Sequence, residues 1–222
     1  MQPLERVFTS EHGTVLIATL MVVVLLGTLG AALALAVSTE SVTAANYEAS
    51  QQTLYAADAG IERIVGELRG LASWRTIPAP ASVSGSADVN DGSSFARAPD
   101  GANLDFAQLT ARRQTESNAR YPNTPDLPAW RLFAHASMNR ITADIANGSP
   151  YVIVWVADDP DDLDGDPATD TNDVVMVHAE AFGIRGGHRA IEATIQREDA
   201  MAAGLPGVMR SDVRLIAWQE VR

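Results

Sequence analysis

The chain of 222 residues contains no cysteine and no lysine. Without cysteine there can be no disulfide, no thiol nucleophile and no thiolate-bound zinc. A domain outside the cytoplasm would therefore have to hold together without the usual covalent staples. Positive charge is scarce. Sixteen basic residues, all arginine, face 28 acidic ones, for a net charge of −12. That balance argues against a nucleic-acid backbone as the main partner, because phosphate binding needs clustered cations. The acidity is also local, since eight of the 17 aspartates fall within residues 158–173. Nucleophile elbow, phosphate loop and dinucleotide fingerprint are all missing. Only His135, His178 and His188 come after the first dozen residues. Two histidines facing each other across a hairpin, with no third ligand, make a poor zinc site. They are read here as strand-surface residues, and the chain as non-catalytic.

What the sequence does have is one long apolar run. Residues 14–37, TVLIATLMVVVLLGTLGAALALAV, carry no charge. As a helix this run spans roughly 36 Å, enough for the ~30 Å hydrocarbon core of a bilayer. It is preceded by a short polar leader, MQPLERVFTSEHG, ending at Gly13. Three processing schemes compete: an ordinary signal cut near Ala34-Leu35-Ala36, for which the apolar stretch is too long, an uncut signal anchor, or cleavage on the cytoplasmic side just after Gly13. The sole leader cation, Arg6, weakly favours an N-terminus inside.

No breaker separates the apolar run from residues 38–71. That segment lacks proline, and Tyr47, Leu54, Ile61 and Leu68 recur every seven residues with Ile64 and Val65 beside them. This predicts one continuous helix, apolar all round in its first half and burying a single stripe in its second. A membrane-anchored coiled coil is the competing architecture. Gly27 and Gly30 sit mid-span, where small residues permit close helix contact.

His12-Gly13 leading into Thr14-Val15-Leu16-Ile17 resembles the processing site of type IV prepilins. The stretch from Gly13 to Leu68, through Ala44-Ala45-Asn46 and Ala56-Ala57-Asp58-Ala59-Gly60, resembles the N-terminal region of PilX-type pilus assembly proteins. The resemblance implies that a prepilin peptidase cuts after Gly13 and methylates the new amine of Thr14. It also implies assembly with other pilins and minor pilins on an inner-membrane platform. Most major pilins carry glutamate at the fifth mature position, where this chain has Ala18. A buried carboxylate is costly unless paired, and a subunit with no neighbour nearer the tip has no amine to pair it with. Ala18 therefore implies a tip or initiating subunit, similar to the K-type minor pseudopilins of type II secretion.

Beyond the stalk, residues 73–150 read as an irregular variable region. A Pro/Ser/Gly-rich loop is expected over 78–101, a helix over 105–120, an apolar knob at Trp130, Leu132 and Phe133, and a short helix over 136–146. Four strands come next, at 151–156, 174–182, 189–196 and 213–221, in an antiparallel meander with one apolar face for the stalk stripe. The expected fold is thus α+β and pilin-like: leader 1–13, membrane or filament-core helix 14–37, amphipathic continuation 38–72, variable region 73–150 and sheet 151–222.

The acidic loop 158–173 joins the first two strands. With Asp162 as position one, Asp164, Asp166, Asp170 and Asp173 fall at positions three, five, nine and twelve of a 12-residue calcium loop. Pro167 stands where that loop needs glycine, and strands flank it rather than helices, so it is not an EF-hand. Either Asp158, Asp162, Asp164, Asp166, Asp170 and Asp173 form an Asp-rich Ca2+ loop, or they make a solvated acidic hairpin. The sequence reads best as a minor pilin or pseudopilin held by one span in the inner membrane, with its C-terminal domain in the periplasm and later in a pilus. An anchored binding module that never polymerises and a membrane-anchored enzyme are the other classes.

Overall fold

Helix α1, Glu11–Arg69, runs for 59 residues without a break. The structure, a computed structural model, describes residues 11–71, 73–76, 92–124, 127–141, 148–201 and 209–221. The leader residues 1–10 lie outside these. The chain divides after Tyr47 into two units, Met1–Tyr47 and Glu48–Arg222.

In the first unit, residues 13–44 are all exposed. Leucine and valine side chains stand open on every side, Leu16 at 72% and Leu35 at 71%. This helix is long and apolar enough to cross a membrane. Four of its threonine hydroxyls, at 19, 28, 39 and 43, are satisfied internally. Thr19 donates to Val15 O at 2.9 Å, Thr28 to Leu25 O at 2.9 Å and Thr39 to Leu35 O at 3.0 Å. An apolar solvent offers no partner to a hydroxyl, so bonding back to the preceding turn removes the cost of immersion.

In the second unit the helix buries one face against a sheet. The contact residues are Ala49, Thr53, Ala56, Ala57, Gly60, Ile61, Ile64 and Leu68. Their three- and four-residue spacing is that of one helical face. The small residues of this face let the helix lie close to the sheet, and the large ones below fill the core, each contributing roughly 1.5–3 kcal/mol. Leu54 packs at the edge of this core. Tyr47, expected on the same stripe, is instead 67% exposed. The heptad reading and the true 3.6-residue face diverge over two turns, and burial starts at Ala49. After the helix, Trp74 is fully buried and its Nε1 donates to Leu68 O at 3.0 Å, satisfying one of the carbonyls left open at a helix end.

The sheet has five strands, one more than the four expected. In order they are β3 (Arg131–Ser137), β4 (Tyr151–Asp158), β5 (Val174–Phe182), β6 (His188–Met201) and β7 (Met209–Val221), each antiparallel to its neighbour. The expected knob around Phe133 is the extra strand β3. A helix was expected over 136–146; strand β3 continues to Ser137, a single turn α3 covers Met138–Ile141, and 142–147 lie outside the described residues. A small hairpin, β1 (Phe95–Arg97) with β2 (Asn103–Asp105), forms where an irregular loop was expected to run to residue 101. Its turn places Gly101 at φ +91, a conformation that glycine adopts without strain. Helix α2, Phe106–Arg120, is capped by Asp105, whose carboxylate accepts from Gln108 N at 3.0 Å.

Both faces of the central strands are covered, whereas β7 leaves Leu215, Ile216 and Trp218 about half exposed. On one, Val152, Val154 and Val156 join β5 and β6 residues under α1. On the other, Ile153, Trp155 and Ala157 join Phe106, Trp130 and Met176. This explains why β4 reads as a continuous apolar run without alternation. A long N-terminal apolar helix with its later turns packed on a C-terminal antiparallel sheet is a pilin-like architecture.

Candidate metal centre

Strand β4 ends at Asp158 and β5 begins at Val174, so the acidic loop spans the sheet end between them. Short aspartate side chains dictate its path by accepting from backbone amides two residues on. Asp159 Oδ2 accepts from Asp161 N at 3.0 Å, Asp164 Oδ1 from Asp166 N at 2.8 Å, and Asp166 Oδ1 from Ala168 N at 3.1 Å. Gly165 at φ +80 and Asp173 at φ +59 complete the turns.

The loop sorts its carboxylates by burial. Asp164, Asp166 and Asp173 are exposed. Asp158, Asp162 and Asp170 are buried, and one carboxylate oxygen from each lies within 4.8 Å of the other two. Of the six residues expected to form a calcium loop, the structure brings these three together and leaves the other three outside. Of the gathered residues, Asp162 and Asp170 hold positions one and nine of the 12-residue frame, while Asp158 lies outside it. Asp158 enters from the end of a strand, and the side chains of Asp164 and Asp166 turn back onto their own backbone.

Asp162 is held by Thr171, whose backbone N donates at 2.6 Å and whose hydroxyl donates at 2.7 Å. Burial works to raise its pKa, but these bonds outweigh it and hold Asp162 below the usual carboxylate range. Asp170 Oδ1 accepts from Asn172 N at 3.1 Å and Val174 N at 3.3 Å. Burial nonetheless pushes Asp170 up to about 6. Asp158 is pushed up to about 7, by burial first and then by the neighbouring charge of Asp170. Asp158 Oδ2 and Asp170 Oδ2 are buried with no hydrogen-bond partner. Orphaned buried oxygens are expensive. Two such atoms in a triad that resists ionising together fit a hard cation, which would neutralise the charge and take up the open lone pairs. Oxygen-only donors select Ca2+, Mg2+ or Mn2+ over zinc or copper. The buried Asp158/Asp162/Asp170 group can hold a metal ion.

A second polar centre lies under α2. On β5 and β6 the residues between those of the α1 face are His178, Glu180 and Glu192. Glu180 accepts from Arg112 Nη2 at 2.7 Å and pairs with His188 Nε2 at 2.9 Å and His178 Nε2 at 3.3 Å. Glu192 accepts from Arg113, from Arg120 Nη1 at 2.9 Å and from Gln219 Nε2 at 2.9 Å. Arg113 also stacks over the Trp130 ring at 4.6 Å. Of His178 and His188, both expected at the strand surface, His178 is buried at 1% exposure while His188 is 44% exposed; His135 is buried too. Burial holds His178 below its ordinary pKa and so neutral. Burial would raise Glu180, but its bonds to His178 and His188 and the charge of Arg112 hold it well below the usual range. An ionised carboxylate saturated by three donors is a structural anion and a poor general base. The signal for this centre was present: polar residues alternate with apolar ones on β5 while α2 carries Arg112, Arg113 and Arg120. It was missed because an apolar stripe on one face suggests that the other is wet.

No family model matches this chain, no curated protein matches it, and no solved structure matches it. The architecture and the aspartate triad therefore carry the functional argument.

Proposed function

We propose that this chain is a non-catalytic minor pilin or pseudopilin. It is inserted in the inner membrane by residues 14–37 with its sheet domain in the periplasm, cut by a prepilin peptidase after Gly13, and assembled with other pilins through its helix. The observation that carries this reading is the change of character along α1. Over residues 13–44 it is exposed, with an uncharged apolar run at 14–37, and from Ala49 to Leu68 it buries one face on the sheet. An apolar helix of that kind needs an apolar surrounding, either lipid or a bundle of like helices. Gly27 and Gly30 have no atom within 4 Å of where a Cβ would sit, which leaves them open for helix contact. Ala18 in place of a carboxylate favours a position at or near the tip.

The ion at Asp158, Asp162 and Asp170 is Ca2+ in this reading. Calcium tolerates irregular oxygen cages, whereas Mg2+ demands near-octahedral geometry. In a domain without cysteine the ion would take over the stapling. Calorimetry with Ca2+ and thermal melting with and without a chelator test this: binding heat and a higher Tm are expected, and the absence of both would contradict it. For the assembly role, sheared surface filaments are purified and probed for the chain, and cells lacking it are scored for filament number. The expected result is the chain in substoichiometric amount in filaments, or loss of filaments without it. Normal filaments that never contain the chain would favour an anchored module that does not polymerise.

A further inference from the structure

The segment that leaves α1 is tied to the acidic loop. Asp170 N donates to Arg75 O at 3.0 Å, and Thr76 forms an antiparallel bridge with Thr169. Just before them Trp74 is fixed in the core. Residues 73–76 thus act as a strap whose outer end rests on residues 169 and 170. Asp170 serves both features: its backbone N–H holds the strap, and its carboxylate belongs to the aspartate triad with one oxygen orphaned. We propose that a divalent cation in the triad locks this strap, so that the exit from α1 is docked in the calcium-loaded protein and released in the metal-free one.

The direction is set by which carboxylate can yield. Asp158 is fixed in the ladder opposite Val175. Asp162 is clamped by Thr171. Without a cation, three carboxylates within 4.8 Å repel one another. The relief open to the triad is movement of residues 169 and 170, which lie in the loop just before the Thr171 clamp and include Asp170. That movement withdraws the Asp170 N–H from Arg75 O and breaks the Thr76–Thr169 bridge. By reciprocity, a docked strap raises cation affinity by the factor with which the cation favours docking.

The inference rests on the calcium reading, and the experiment separates the two. Hydrogen exchange is measured on the full chain in detergent micelles, with Ca2+ and with chelator, alongside calorimetry on the same samples. Ca2+ is expected to slow exchange of the Asp170 amide, the donor to Arg75 O, by about tenfold or more, with little change in peptides from β5. In Asp162→Asn the slowing should disappear. Binding heat without added protection at the Asp170 amide would overturn the strap and leave the metal site standing. No heat and no protection would overturn the site and the strap together.

Discussion

At position 60 an added methyl group would sit 2.7 Å from Val152 Cγ1 and 3.3 Å from Val154 Cγ2. Gly60→Ala should gain about 1 kcal/mol of helix propensity and lose about 1–3 kcal/mol to overpacking. A Tm lowered by a few degrees is expected, and an unchanged or higher Tm would contradict the close approach. Glu180 gives a pH dependence whose sign is set by its depressed folded pKa. The unfolded chain takes up a proton in the ordinary glutamate range while the folded chain refuses it, so this stability is present at neutral pH and declines as the pH falls below about 5. Asp158 and Asp170, raised by burial, act in the opposite sense, so the check is differential: the stability of the wild type over Glu180→Gln, from urea unfolding at pH 7, 5 and 4, should shrink as the pH falls. The acidic loop shows what single residues reveal from sequence alone. Alternating aspartates announce a preference for a hard cation. Which three converge depends on Asp158 belonging to a strand and on Asp164 and Asp166 bonding their own backbone, and spacing encodes neither.

Helix α2 is held on the sheet by ion pairs as well as by Phe106 and Trp130. Arg113 and Glu192 are both buried, and removing Arg113 leaves Glu192 with Arg120 and Gln219 alone. Arg113→Met should therefore cost less than the roughly 3–5 kcal/mol of a fully stranded charge, and Arg113→Met with Glu192→Gln should cost less than the sum of the single changes. Chemical denaturation of the four proteins of this cycle checks it; additive costs would show that the pair does not couple. For α1, Gly27→Leu and Gly30→Leu meet open space in the isolated chain. They should leave its melting unchanged and reduce its incorporation into filaments; full incorporation of both variants would remove these positions from the contact. The helix was legible because nothing breaks it and its apolar run is uncharged. The α2 boundary was legible from the Asp105 cap. Strand β3 was not. Its sequence, RLFAHAS, is alanine-rich and buried on both sides over Phe133–Ala136, so it shows no period of two and was divided between a knob and a helix. The same two-sided burial concealed α2's role as a cover for the sheet.

The whole molecule carries an exposed apolar stretch, residues 14–37, and a sheet domain whose core includes the later turns of α1. α+β architecture, the α1 face and the β4–β5–β6 order were readable because each depends on local pattern. The second face of the sheet was not, because it depends on residues far apart in sequence, Arg112 with Glu180 and Arg113 with Glu192. The central claim is that α1 is a processed pilin helix held in the membrane until assembly. Mass spectrometry and N-terminal sequencing of the mature chain from membranes test this directly. The account predicts a chain that starts at an N-methylated Thr14. An intact Met1, or a start near Val37, would contradict it.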